Sequence, residues 1–277
     1  MDDNIFERCG KAADKMRRDV IKMTYLAGNQ GAHIGGSLSL VEILAAIYVG
    51  GIIKYDPVNP GWDERDRMIL SKGHGAMALY AALNQIGVIP EDDLWTYKSN
   101  NTYVALHPAQ DITKGLEFSA GSLGHGLSLG IGTALALKRI NNVQSRIFTI
   151  LGDGECDEGS VWEAAACASH YELNRIVAII DCNALQNDGF TKDILRLDDI
   201  SDKWRSFGWD SITVNGHDIK ALYEAFSLIS DKPRAIIAKT VKGKGVSFIE
   251  NNFRWHYARL SKVQYEQAMA EQGVTVC

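Results

Sequence analysis

Asp153 and Asn183 are the residues whose types and spacing point most directly to chemistry. Asp153 offers a carboxylate and Asn183 an amide oxygen, both hard donors of the kind Mg2+ or Ca2+ takes. They stand thirty residues apart, about one strand–helix–strand repeat, so adjacent parallel strands would bring the two tips together. Gly152 and Gly154 flank the aspartate and let backbone and ligand approach closely. The same Gly-Asp-Gly also suits an ordinary strand-to-helix turn in which Asp153 caps the helix. The later Asn183 at matching spacing, followed by Asp188-Gly189, favours the ligand set.

These residues must be positioned by regular elements. Ile147, Phe148, Ile150 and Leu151 form a short apolar run that stops at glycine, as a strand buried on both faces of a parallel sheet does. The alanine-rich stretch from Val161 to His170 reads as a helix, and Ile176 to Ile180 as the next strand. In such open sheets ligands bind at the carboxyl ends of the strands. Upstream, apolar residues at helical spacing predict an amphipathic helix over residues 3–27. A glycine-rich turn at 31–36 follows, and then a helix from Leu40 to Val49, with Ser39 as its cap and Glu42 completing a capping box. Met68 to Leu70 predicts a strand leading through Ser71-Lys72-Gly73-His74-Gly75 into a helix ending near Gln85. Residues 88–118 read as surface loops and short helices. A glycine-rich segment, Ser119 to Gly132, precedes an apolar helix to Leu137. Strands at 211–214 and 234–239, a helix at 218–229 and a final helix at 261–271 complete the pattern. Strands alternating with helices, without linker, repeat or low-complexity tract, predict one domain over 1–277: α/β, a doubly wound, mostly parallel sheet with helices on both faces.

Composition bounds the function. The chain has 277 residues, a net charge of −5 and 23% charged residues, which gives no sign of nucleic-acid or membrane-surface binding. No apolar stretch reaches the ~20 residues of a membrane span, and the acidic start lacks the order of a signal peptide. Five cysteines, Cys9, Cys156, Cys167, Cys182 and Cys277, are an odd number without CxxC spacing, so a cytoplasmic chain with reduced thiols is expected.

The wording GDGECDEGSVWEA followed by DCNALQNDG resembles the signature of thiamine diphosphate enzymes and, in its fuller form, transketolase. The resemblance runs from His33 to His256. It implies a thiamine diphosphate-binding fold and a divalent ion, Mg2+ (or Ca2+), held by Asp153, Asn183 and the backbone carbonyl of Leu185. Cofactor contacts carried over by position are His74, Gly121, Ser122, Leu123, Gly154, Glu155, Asn183 and His256. His33, His74, His107 and His256 would serve as catalytic, channel-lining groups, since imidazole titrates near neutral pH. His170, at a helix end, and His217, as a cap before a helix, read as structural. Lys242 and Lys244, in a Lys-Thr-x-x-Gly-x-Gly loop, are either solvated or phosphate-facing, and the resemblance favours the second. The chain departs from the family with Ser122 where proline is usual and His125 where glutamine is common.

Only the diphosphate-binding half of a transketolase is covered. The resemblance therefore implies an N-terminal subunit that moves a two-carbon ketol unit from a ketose phosphate to an aldose. It would work with a C-terminal partner subunit that carries the pyrimidine-binding domain and the catalytic glutamate, in a heterotetramer with Glu158 near the interface. A deoxyxylulose-phosphate synthase or the decarboxylating component of a 2-oxoacid dehydrogenase is the alternative. A non-catalytic Mg2+-nucleotide binder lacks its motifs, since neither a GxxxxGK[ST] loop nor a GxGxxG after a strand is present.

Overall fold

Five parallel strands form a single sheet in the order β1-β2-β3-β5-β4 in the computed structural model, which describes residues 3–141 and 144–276. They are β1 (Arg67–Leu70), β2 (Ile147–Gly152), β3 (Ile176–Cys182), β4 (Asp210–Asn215) and β5 (Arg234–Lys239). Every residue of β1 and β2 is buried, as is every residue of β3 except Cys182, whereas edge strand β4 alternates. That is the pattern of a sheet covered on both faces.

Successive side chains point to opposite faces, so each strand feeds two apolar layers. Phe148, Ile150, Ile179 and Ile236 pack into one layer, and Ile147, Leu151, Ile180 and Ile237 into the other. The first layer is closed by α1 (Asp3–Leu26), α2 (Ile34–Leu38), α3 (Val41–Tyr48), α4 (Ala76–Gln85) and, at its rim, α5 (Glu91–Leu94). The second is closed by α6 (Gly126–Arg139) and α7 (Gly159–His170), with α9 (Ile200–Ser206) beside them. Short α8 (Thr191–Ile194) stands between β3 and α9, while α10 (Ile219–Ser227) and α11 (Lys262–Glu271) return to the first layer. The fold is the expected α/β one.

Several local expectations differ from the structure. Ser39 does not cap α3 but ends α2 as its C-cap: α3 has Leu40 at its N-cap without a side-chain bond, and the Ser39 hydroxyl donates to Asp181 at 2.6 Å. A buried carboxylate is a stronger acceptor to satisfy than a helix end that continues from a preceding turn. His217 is likewise not the cap of α10; Asp218 is, accepting from the Ala221 amide at 3.0 Å. The turn at 31–36 already contains the first residues of α2, and α6 begins inside the glycine-rich segment rather than after it. Its Gly130 packs where a Cβ would lie 2.9 Å from the Thr149 hydroxyl, so the glycine seats the helix on β2. Residues 88–118 are not all surface, since Leu94, Tyr97, Val104 and Leu116 are buried. Cys9, Cys156, Cys167 and Cys182 are unpaired, and Cys277 lies outside the described residues.

Candidate functional site

Register places the two expected ion ligands side by side. Gly152 pairs with Asp181, so the loops after β2 and β3 leave the sheet together. The Asp153 amide donates to the Asp181 carbonyl at 3.2 Å. Asp153 Oδ2 accepts from the Ala184 amide at 2.7 Å and Oδ1 from the Gly154 amide at 3.0 Å. Ala184 reaches it with φ of 61°, a left-handed conformation uncommon for a residue with a side chain. Asn183 Nδ2 donates to Asp181 at 3.2 Å, which fixes the amide so that Oδ1 faces the loop and accepts from the Leu185 amide at 3.1 Å. Leu185 turns its carbonyl to the Lys242 ammonium at 3.1 Å. Asp153, Asn183 and Leu185 all line one cavity of about 180 Å3, together with His74, Gly154, Lys242 and His256.

The donor set fits the expected ion. One carboxylate, one amide oxygen and one carbonyl are all hard, and Mg2+ takes few protein ligands, leaving the rest of its shell to phosphate oxygens and water. Among the described residues no group of three or more His, Cys, Asp or Glu side chains gathers to hold a metal, so a softer ion such as Zn2+ lacks its ligand set. Burial, and then the neighbouring Asp181, push the Asp153 carboxyl up to about 6. Burial acts on Asp181 in the same sense, but its ion pair with Lys72 and hydrogen bonds from Ser39 and Thr240 outweigh it and hold it below the usual range. Lys72 also donates to the Gly36 carbonyl at 3.1 Å. Two cations, Lys72 and Lys242, thus face the cavity, as a diphosphate requires. Burial and then Lys72 depress the Lys242 amine to about 8. Lys244 turns away to pair with Glu250 at 3.5 Å.

The four expected histidines cluster, with His74 and His256 lining the cavity and His33 and His107 packed beside them. Ring centroids lie 5.7 Å apart for His33 and His74, 5.5 Å for His33 and His107, 5.3 Å for His33 and His256, and 5.2 Å for His74 and His256. Burial lowers all four: His33 to about 3, helped by His256 and His107, and His256 to about 4, helped by Lys242. His74 falls well below its ordinary value through burial and Lys72, and His107 falls through burial. At neutral pH the cluster is therefore an uncharged set of donors and acceptors. His33 Nδ1 is buried with no hydrogen-bond partner.

Not every expected contact faces the cavity. Leu123 lines it, but Gly121 and Ser122 line an adjoining space of about 250 Å3 with Ser71 and His125. Gly121, at φ of 146°, lies against His107, with 3.0 Å between Nδ1 and the position a Cβ would take. Glu155 reaches the cavity wall with both oxygens occupied: it accepts from Ser71, from the Gly124 amide at 2.9 Å and from the Gly152 amide at 3.0 Å. It braces the loops rather than offering a free carboxylate, and burial raises its carboxyl. A larger cavity, about 830 Å3, opens at the opposite edge of the sheet near Ile147, Arg175 and Pro233. Among the described residues no histidine lines it, and chemistry rather than volume assigns the site. Sequence reasoning missed the roles of Lys72, Asp181, Ser39 and Thr240. The available signal was the charged residues inside otherwise buried runs, Asp181 at the end of β3 and Lys72 just after β1.

Residues 11–275 match the family model described as transketolase, thiamine diphosphate binding domain. The chain is 43% identical to the 6-deoxy-6-sulfo-D-fructose transketolase subunit SqwG of Clostridium sp. (strain MSTE9), over 86% of this chain and 87% of that protein. It is 39% identical to an apulose-4-phosphate transketolase subunit of Actinobacillus succinogenes, over 96% of each. Its structure resembles the transketolase of Leishmania mexicana with a TM-score of 0.88 at 26% identity, covering 96% of this chain. It spans only 41% of that solved chain, about two fifths. The chain belongs to the transketolase family, to its thiamine diphosphate-binding domain.

Proposed function

We propose that this chain is a single-domain N-terminal subunit of a transketolase that binds thiamine diphosphate through Mg2+ and works with a partner subunit. The observation that carries the reading is the buried, unpartnered His33 Nδ1 among four uncharged imidazoles, above a cavity with a hard-oxygen ion site and two cations. Asp153, Asn183 and the Leu185 carbonyl would hold the ion. Lys72, Lys242 and the Gly154 backbone would face the diphosphate. When bound, the cofactor supplies the carbanion chemistry that makes and breaks a bond beside a carbonyl, and the protein supplies orientation and acid–base groups. His33, His107 and His256 would take hydrogen bonds from a sugar's hydroxyls and hold or pass protons there, since each stays neutral at physiological pH. Leu123 and the buried strand tips would keep bulk water from the reacting end.

The substrates would be sugar phosphates: a ketose donor and an aldose acceptor. The relatives' names, with their sulfonated and phosphorylated sugars, support an anionic sugar as donor or product. They also support a partner, since they are named as subunits, and a heterotetramer with cofactor sites at subunit interfaces follows if that partner supplies the missing wall. The four cysteines among the described residues, all unpaired, support a cytoplasmic, reducing setting. Neither a deoxyxylulose-phosphate synthase nor a dehydrogenase component is favoured by these relatives. A spectroscopic titration tests the reading: thiamine diphosphate should bind only with Mg2+, and ATP and NAD should not compete. Binding of ATP or NAD in its place would overturn it.

A further inference from the structure

Arg17, Glu42 and His217 form a buried polar chain that none of the roles above uses. Their side chains are only 7%, 9% and 13% exposed, and none of the three lines the cavity. They come from α1, α3 and the turn before α10. Arg17 pairs with Glu42 Oε1, and His217 Nδ1 meets Glu42 Oε2 at 2.9 Å. The Val241 amide donates to His217 Nε2 at 2.8 Å. A backbone N–H can only donate, so Nε2 is the acceptor, the ring proton sits on Nδ1, and Nδ1–H donates to Glu42. Burial works to raise the Glu42 carboxyl, but the His217 hydrogen bond and the Arg17 charge outweigh it and hold it below its ordinary value.

The chain ends on both sides of one loop. His217 takes the Val241 amide, and Arg17 donates to the Lys244 carbonyl at 2.7 Å. Between them lie Lys242, whose ammonium reaches the Leu185 carbonyl at 3.1 Å and His256 Nδ1 at 3.0 Å, and Gly243, whose amide donates to the Gly35 carbonyl at 3.0 Å. Gly245, at φ of 88°, lets the Arg17 stem lie where a Cβ would come within 2.5 Å of it. A buried ion pair is weak evidence for stability, because apolar residues of like volume would do as well or better. What apolar residues could not do is hold an amide and a carbonyl three residues apart at fixed positions. We propose that Arg17, Glu42 and His217 are positioning residues that fix the Lys242 loop, and so set the affinity for the diphosphate end of the cofactor. This deepens the functional reading given above and rests on it.

The test compares the full chain with His217→Ala, His217→Gln and Arg17→Lys, with His170→Ala as an exposed control. Dissociation constants for thiamine diphosphate with Mg2+ are measured by calorimetry, and amide exchange across 240–246 is followed by mass spectrometry. His217→Ala should weaken binding about tenfold or more, the range that outer-shell partners of a ligand site show, and should speed exchange at Val241 while β5 stays protected. His217→Gln places an amide oxygen near Nε2 and should restore most of the affinity. Arg17→Lys keeps a charge for Glu42 but loses the fork that also reaches the loop, so it should fall on the same side as alanine, and it carries the test should His217→Ala not fold. Lower melting temperature with unchanged cofactor affinity and loop exchange would make the chain a structural brace and overturn the proposal. A parent chain that fails to bind the cofactor would overturn the functional reading, and this inference with it.

Discussion

Asp153 titrates near 6 because burial and Asp181 both disfavour its anion, whereas a divalent ion takes only the deprotonated carboxylate. Metal-linked cofactor binding should therefore weaken as pH falls through about 6 and release a proton there, a release that calorimetry in buffers of different ionisation enthalpy detects. Equal binding at pH 5.5 and pH 8 would contradict the assignment of Asp153. Asp153→Asn or Asn183→Ala should raise the dissociation constant for the cofactor with Mg2+ by about 10–100-fold or more, while the apo chain should still fold, since both side chains sit in the loops that follow β2 and β3. The histidines shift the other way. His33 and His256 have folded values of about 3 and 4 against 6.5, so the unfolded chain takes their protons first as pH falls. Their contribution to stability is full above 6.5 and is lost between 6.5 and about 3. Urea midpoints at pH 7 and pH 4.5 should differ in that sense. At this scale the sequence was most readable where chemistry needs a fixed spacing, as for Asp153 and Asn183. It was least readable for Lys72, Asp181 and His217, whose roles depend on partners from 24 to 175 residues away.

Strand and helix placement was legible because alternation and apolar periodicity follow from burial, and β2, β3 and β5 begin and end within two residues of expectation. Ser39 departs from expectation for the opposite reason: a capping-box pattern is local, and a buried carboxylate from β3 outcompetes it. That carboxylate ties elements together. Asp181 at the end of β3 receives Lys72 from the β1–α4 turn, Ser39 from the α2–α3 turn and Thr240 after β5. Lys72→Met should destabilise the fold by about 3–5 kcal/mol, because it leaves a buried carboxylate uncompensated. Asp181→Asn with Lys72→Met should recover part of that loss, as removing both partners of a buried pair is better tolerated than removing one. Chemical denaturation of the two variants checks this, and a double variant no more stable than the single one would contradict it. In the loops around the cavity, His74→Ala and His256→Ala should lower turnover of the reconstituted enzyme by about 10^2–10^4-fold if either moves a proton, whereas His170→Ala, exposed against Tyr171, should leave it unchanged.

At the scale of the molecule, the carboxyl ends of the strands wall one side of the cavity and leave its other side open. Beside the cavity, Leu123 and Leu129 are each 37% exposed, and Ser122 and His125 are exposed with them. Phe190 and Ile194 stand out at 45% from the start and end of short α8, after Asp153 and Asn183. Apolar side chains grouped around a ligand cleft mark a surface that another protein covers. The relatives named as subunits match this chain over most of their own length, whereas the Leishmania mexicana transketolase chain has about three fifths of its length beyond the match. Activating thiamine diphosphate calls for a carboxylate on its pyrimidine. The described carboxylates at this site are already engaged, Asp153 and Asp181 at the ion end and Glu155 with three donors. The purified chain should therefore show no ketol transfer with saturating thiamine diphosphate and Mg2+, while still binding the cofactor. Adding a second chain that carries a pyrimidine-binding domain should restore turnover and bury Leu123 and Leu129, which loss of amide exchange and of hydrophobic-dye binding would report. Charged substitutions at Leu123 or Leu129 should then block assembly while each variant keeps its fold. Full activity from this chain alone would refute a shared site.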